Sequence, residues 1–226
     1  MNKTLAFFAT NPKRFALIEK FLSPEHLRKI VEHNVFLRNR DMLRMALSNK
    51  RFAGWSDEQA YDFFSKLYQD YNSAHCLRQK DVLPQCLKLL VPFFTPRQQD
   101  FLFEEAAALA HWDLLTILAP LVHNEHHVRF VFRRSDADSR KAVECLAPHY
   151  DLNFLVALAV ESDHVETVRR FLPQCVGKEV RARIAQNVPN AAWDLLETQI
   201  AQEERLSLRA SVDHSSENPG TRRRKI

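Results

Sequence analysis

The densest run of chemistry-bearing side chains is His123-Asn124-Glu125-His126-His127. Imidazoles three or four residues apart can share a metal when their segment is helical. Here the run follows Pro120, lacks the H-E-x-x-H spacing and falls between two apolar stretches, so it reads as a solvated loop. Cys145 and His149, four apart, have the spacing of a nucleophile and its base. Pro148 lies between them and ends the helix they would need, which leaves Cys145 as a small packed hydrophobe. His111 and His164 read as turn or helix-start residues, and Trp112 and Trp193 as stacking residues. Arg129, Arg133 and Arg134 form a positive patch beside Asp136 and Asp138, suited to a solvated face or an acidic partner. No triad, carboxylate pair or metal pattern emerges. The expectation is a non-catalytic chain with no cofactor.

Composition narrows the classes further. The three glycines, Gly54, Gly177 and Gly220, stand apart, which argues against a glycine-rich phosphate loop. The four cysteines contain no C-x-x-C pair and imply a reducing compartment, here the cytoplasm. Net charge is only +4, with Lys and Arg scattered among Asp and Glu, so nucleic acid is not the expected partner. No apolar run approaches the ~20 residues of a membrane span. Leu5-Ala6-Phe7-Phe8-Ala9 is too short for a signal peptide, which needs roughly 7–15 apolar residues. Asn11-Pro12 then reads as a helix start.

The elements that position these residues are helical. Good helix formers dominate, and 46% of residues are hydrophobic. Pro92, Pro120, Pro148 and Pro173 each end an apolar run, at separations of 28, 28 and 25 residues. Before them an aliphatic-x-x-apolar-x-Pro pattern recurs: Leu87 and Leu90, Leu115 and Leu118, Val143 and Leu146, Val168 and Phe171. Positions three apart share a helix face, and proline stops the stripe. Weaker copies lie at Ile18 and Phe21 and along 42–47. Trp193-Asp194-Leu195-Leu196 repeats Trp112-Asp113-Leu114-Leu115 81 residues later, with polar Gln199 suiting a capping repeat. Apolar stretches at 101–110, 128–132, 154–160 and 180–185 precede the stripes. The spacing predicts an all-α chain, an α-solenoid of stacked helix–turn–helix hairpins. The aromatic-rich segment 50–80 predicts an elongated inner helix or an insertion.

The run from Ala157 through Ser162-Asp163-His164-Val165 to Leu172-Pro173 resembles an ankyrin repeat, A-x-x-x-x-G-H-x-x-V-x-x-L-L in a short variant ending in proline. Residues 106–115 are similar and put Ala106 and His111 in the columns of Ala159 and His164. The T-P-L-H opening has no copy. The resemblance implies an ankyrin-like stack with short or missing fingers that binds a protein through its concave face and loop tips. It divides the chain into a helical region 1–98 of degenerate repeats, ankyrin-like repeats over 99–206, and a disordered basic tail 207–226.

The residues expected to touch a partner are His123, Glu125, His126, His127, Arg129, Arg133, Arg134, Asp151 and Asp163. The tail ends in Arg222, Arg223, Arg224 and Lys225, a nuclear-import signal or a solubilising basic end. Glu203-Glu204 followed by a serine-rich stretch resembles the translocation signals of bacterial secreted effectors, which implies work inside a host cell. A monomer binding a host protein is the leading expectation. Its rivals are an enzyme with an unrecognised site in 1–98, marked by a deep polar pocket near 61–76, and a nucleic-acid-binding helical repeat.

Overall fold

The computed structural model describes residues 3–71, 82–122, 124–133, 135–185 and 189–216. Among them every regular element is helical, and no helix is long and apolar enough to cross a membrane. Contacts group the chain into two compact units, Met1–His127 and Val128–Ile226.

The first unit holds α1 (Lys3–Ala9), α2 (Pro12–Ile18), α3 (Pro24–Phe36), α4 (Arg40–Ser48), α5 (Asp57–Tyr71), α6 (Val82–Leu90), α7 (Pro96–Ala108) and α8 (Trp112–Leu118). Helix α9 (Glu125–Val131) carries the division between the units. Several starts are built by a polar cap and proline at the first helical position. Asn11 accepts from the amides of Lys13 and Arg14. Ser23 accepts from His26, and Thr95 and Gln98 form a reciprocal capping box. The helices pair as α1–α2, α3–α4 and α7–α8. In addition α1, α3, α5 and α7 touch in series, and so do α2, α4, α6 and α8. Buried Asn34 ties the first pair to the second, its amide donating to Ala9 O and Ile30 O, both at 2.8 Å.

The second unit holds α10 (Asp136–Leu146), α11 (Leu152–Glu161), α12 (Val165–Phe171), α13 (Gly177–Arg183) and α14 (Ala191–Ser216). Seven consecutive residues of α11, from Phe154 to Val160, are buried, because α10, α12, α13 and α14 all pack on it. Helix starts here are capped from neighbouring helices. Asp136 accepts from the amides of Glu166 (2.8 Å) and Thr167 (3.0 Å), and Asp163 from that of Ala192 (3.0 Å). Glu203 accepts from the amide of Gly177 with both oxygens at 3.1 Å. Each cap satisfies amides that the helix itself leaves unpaired. Helix α14 runs nine residues beyond Ser207, where composition places the start of a disordered tail; residues 217–226, with Arg222, Arg223, Arg224 and Lys225, lie outside the described residues.

One turn occurs three times. Arg38, Ala110 and Asp163 have φ of 56°, 57° and 55°. The amide of the next residue reaches back five positions: Asn39 to Asn34 O, His111 to Ala106 O and His164 to Ala159 O, all at 2.9 Å. This is a Schellman closure, which favours glycine at the left-handed position. All three sites carry a side chain instead. Replacing Ala110 by glycine is therefore expected to raise stability by about 0.5–1 kcal/mol, relief of left-handed strain outweighing the added chain entropy. Urea unfolding checks it, and a lower midpoint refutes it.

The proline stripes end as expected. Pro92, Pro120 and Pro173 sit centrally in 3-10 turns at Val91–Phe93, Ala119–Leu121 and Leu172–Gln174. Pro148 lies two residues past the end of α10.

Candidate functional site

An exposed apolar stripe with an aromatic floor lies between α5 and α7. The two helices run parallel. At their starts the Gln98 side-chain amide donates to Asp57 Oδ1 (2.9 Å) and Trp55 O (3.1 Å), and Arg97 pairs with Asp57 at 3.3 Å. Further along, Tyr68 Oη donates to Leu102 O at 2.9 Å. Between them run two cavities of about 250 and 160 Å³ that share Tyr61, Phe64 and Phe101. The larger extends to Tyr68, Glu105 and Leu109, the smaller to Asp57 and Arg97.

The floor is rigid by construction. Phe64 is 1% exposed and meets Phe94 edge-on at 4.9 Å and Phe101 in a stack at 6.2 Å. Trp55 and Phe63 extend the cluster, their rings stacked at 5.5 Å. The rim is open: Tyr61 is 60% exposed, with its ring 5.2 Å from Phe101, and Leu109 is 42% exposed. Burial, with the Glu105 carboxylate adding to it, holds the Tyr68 phenol far above its ordinary pKa. Tyr68 is therefore a neutral hydrogen-bond donor, not a base. An open groove with an aromatic floor and charged or polar groups along its edges is suited to binding a mainly apolar surface.

No protein-family model, no curated protein and no solved structure matches this chain.

The residues singled out from sequence fall into several settings. His126 and His127 lie on helix α9, not in a loop. His127 sits between two carboxylates of α7, Nδ1 2.6 Å from Glu104 and Nε2 3.3 Å from Asp100. Its two nitrogens face different acids, so the arrangement is an ion-pair bridge when the ring is protonated. Among the described residues no three His, Cys, Asp or Glu side chains converge as metal ligands. Glu125 is exposed in the first turn of α9. His123 and Arg134 lie outside the described residues.

In the second unit Arg129 and Arg133 line one cavity of about 400 Å³ with Phe132, Leu158, Glu161, Ser162 and Ala185. Arg129 is committed there: its guanidinium donates to Glu161 at 2.6 Å, and the other Glu161 oxygen accepts from the Ala185 amide. Asp151 and Asp163, expected at a partner surface, are exposed and each also caps a helix. Asp151 caps α11 and pairs with Arg183 at 3.3 Å, while Asp163 caps α14. Glu203 and Glu204 are likewise engaged, with Gly177 and with Lys178 (3.0 Å). Cys145 lies in the last turn of α10, and His149 is exposed beyond that helix. Burial pushes the Cys175 thiol up to about 11, with Asp151 and Glu203 adding, so it is not an activated nucleophile.

Sequence inspection reads segment 50–80 as an elongated inner helix or an insertion and gives its stretch 61–76 a role only in the rival enzyme reading. The missed signal is its spacing. Tyr61, Phe64 and Tyr68 recur at i, i+3 and i+7 on one face, and Phe101, Glu105 and Leu109 at i, i+4 and i+8 on another.

Proposed function

We propose that the chain is a non-catalytic interaction scaffold, ankyrin-like with short fingers, that binds a partner protein along the α5–α7 groove. The observation that carries this reading is the groove itself: exposed Tyr61 and Leu109 above a rigid aromatic floor. Aromatic anchors on a preorganised surface lose little entropy on binding and dominate interface energetics.

The repeat part of the reading draws on the fold. The three equivalent turns at Arg38, Ala110 and Asp163 support hairpins of one kind, stacked as a short solenoid within each unit. His111 and His164 follow two of those turns in the columns that the ankyrin resemblance assigns them. One helix start keeps the proline and histidine of the T-P-L-H opening, though not its threonine or leucine. Ser23-Pro24-Glu25-His26 starts α3, with Ser23 Oγ 2.9 Å from His26 Nδ1.

Affinity purification of the full chain beside a Tyr61→Asp variant of unchanged circular dichroism tests the reading. At least one co-purifying protein is expected to fall about tenfold or more with the variant, as for a hot-spot aromatic. Identical protein sets from the two chains would remove the groove as the binding site.

A further inference from the structure

The groove carries a sign of charge as well as a shape. Its two walls, α5 and α7, hold seven acidic residues against two basic ones, Lys66 and Arg97, but Asp70 pairs with Arg38, and Asp100 and Glu104 face His127. Both basic side chains are already paired to α5 carboxylates, Lys66 to Asp62 and Arg97 to Asp57. The negative field over the groove therefore comes from two carboxylates, Glu105, which lines the larger cavity, and Glu58, which is exposed on α5. Phosphate-bearing ligands and acidic segments are repelled by it.

The shape favours a helix. The lining stretch of α5 from Asp57 to Gln69 spans about 18 Å at ~1.5 Å per residue, the length of roughly three helical turns. Two parallel helices present a furrow between their side-chain ridges, and a third helix lays its own ridge there. The cavities lie toward opposite ends of that furrow, with the Tyr61 and Phe101 rings common to both. Anchors at i, i+4 and i+7 on one face of an incoming helix match this arrangement.

Resting on the reading of the groove as a protein-binding site, we infer that its occupant is a basic amphipathic helix of a partner protein. Apolar side chains at i, i+4 and i+7 fill the two cavities, and a Lys or Arg of the same segment faces Glu105. Apolar burial supplies the affinity, while the charge supplies selection against acidic helices and speeds encounter.

The probe is a displayed library of random peptides about 16 residues long, enough to cross the groove as a helix. It is selected on the full chain and counter-screened on Tyr61→Asp. Enriched peptides are expected to carry net positive charge and apolar residues at helical spacing. Their affinity is expected to fall about tenfold on Glu105→Lys and several-fold as salt is raised. Neutral or acidic peptides that lose binding on Tyr61→Asp would overturn the charge inference and leave the groove as a binding site. A library that enriches no sequence sensitive to Tyr61→Asp would overturn both.

Discussion

Truncating Phe64 to alanine is expected to cost about 4 kcal/mol, as for buried aromatics whose neighbours cannot collapse into the space. Phe64 is 1% exposed, and its ring meets those of Phe63, Phe94 and Phe101. These contacts join α5, the segment preceding α7, and α7. Helices and their aromatic neighbours fix one another's positions here, so relaxation into the cavity is limited. Each ring pair adds about 0.5–1.5 kcal/mol beyond area burial. Against a typical total of about 5–15 kcal/mol, the loss is a large share. A fall in melting temperature of about 8–16 °C follows for a chain of this length. Tyr61, on the groove rim, is the control: Tyr61→Ala is expected to cost about 1 kcal/mol or less, since its ring is already in water. Urea unfolding of both variants decides the matter. Equal costs would mean that the floor and rim of the groove are not distinguished by packing.

The parts of the fold legible in the sequence are those set by local chemistry. Proline cannot extend a helix, so Pro92, Pro120 and Pro173 marked the turns that close α6, α8 and α12. The columns of His111 and His164 were visible because the residues after them repeat. The third turn was harder to see, because Arg38-Asn39 replaces Ala110-His111 and Asp163-His164. Its signal was Asp41-Met42-Leu43 standing in the register of Asp113-Leu114-Leu115. What the turn selects is a backbone conformation, and three different residues satisfy it at similar φ.

The candidate site was less legible for a physical reason. A carboxylate at a turn or on a helix surface looks solvated in sequence, but Asp163 and Glu203 reach amides 29 and 26 residues away. Only tertiary packing brings the orphan amides of one helix start to a side chain of another. The ion pair of Arg129 was hidden in the same way, since Glu161 lies 32 residues on. The groove depends on α5 and α7 lying side by side, and no spacing within either helix encodes that neighbour.

Asp136 makes this dependence on distant amides measurable. Its carboxylate accepts from the amides of Glu166 and Thr167 and from the buried Thr167 hydroxyl at 2.6 Å, so it caps α12 from α10. Burial opposes its charge. The Thr167 hydroxyl, the two amides and the nearby His164 outweigh that and hold the carboxyl below its usual value of 3.8. Asp136→Ala removes a cap and the charged acceptor together, and is expected to cost about 2–3 kcal/mol at neutral pH. Asp136→Asn keeps one acceptor oxygen without the charge and is expected to lose about half as much. The sign of the pH dependence follows from the direction of the shift. A carboxyl whose folded pKa is depressed contributes its full stability above the unfolded value and loses it as pH falls through the folded one. The gap between parent and Asp136→Ala is therefore flat near neutrality and narrows below pH 3.8. Guanidinium unfolding of both chains across that range reads the gap directly. A gap that widens on acidification would mean that the carboxylate is not the group holding the start of α12.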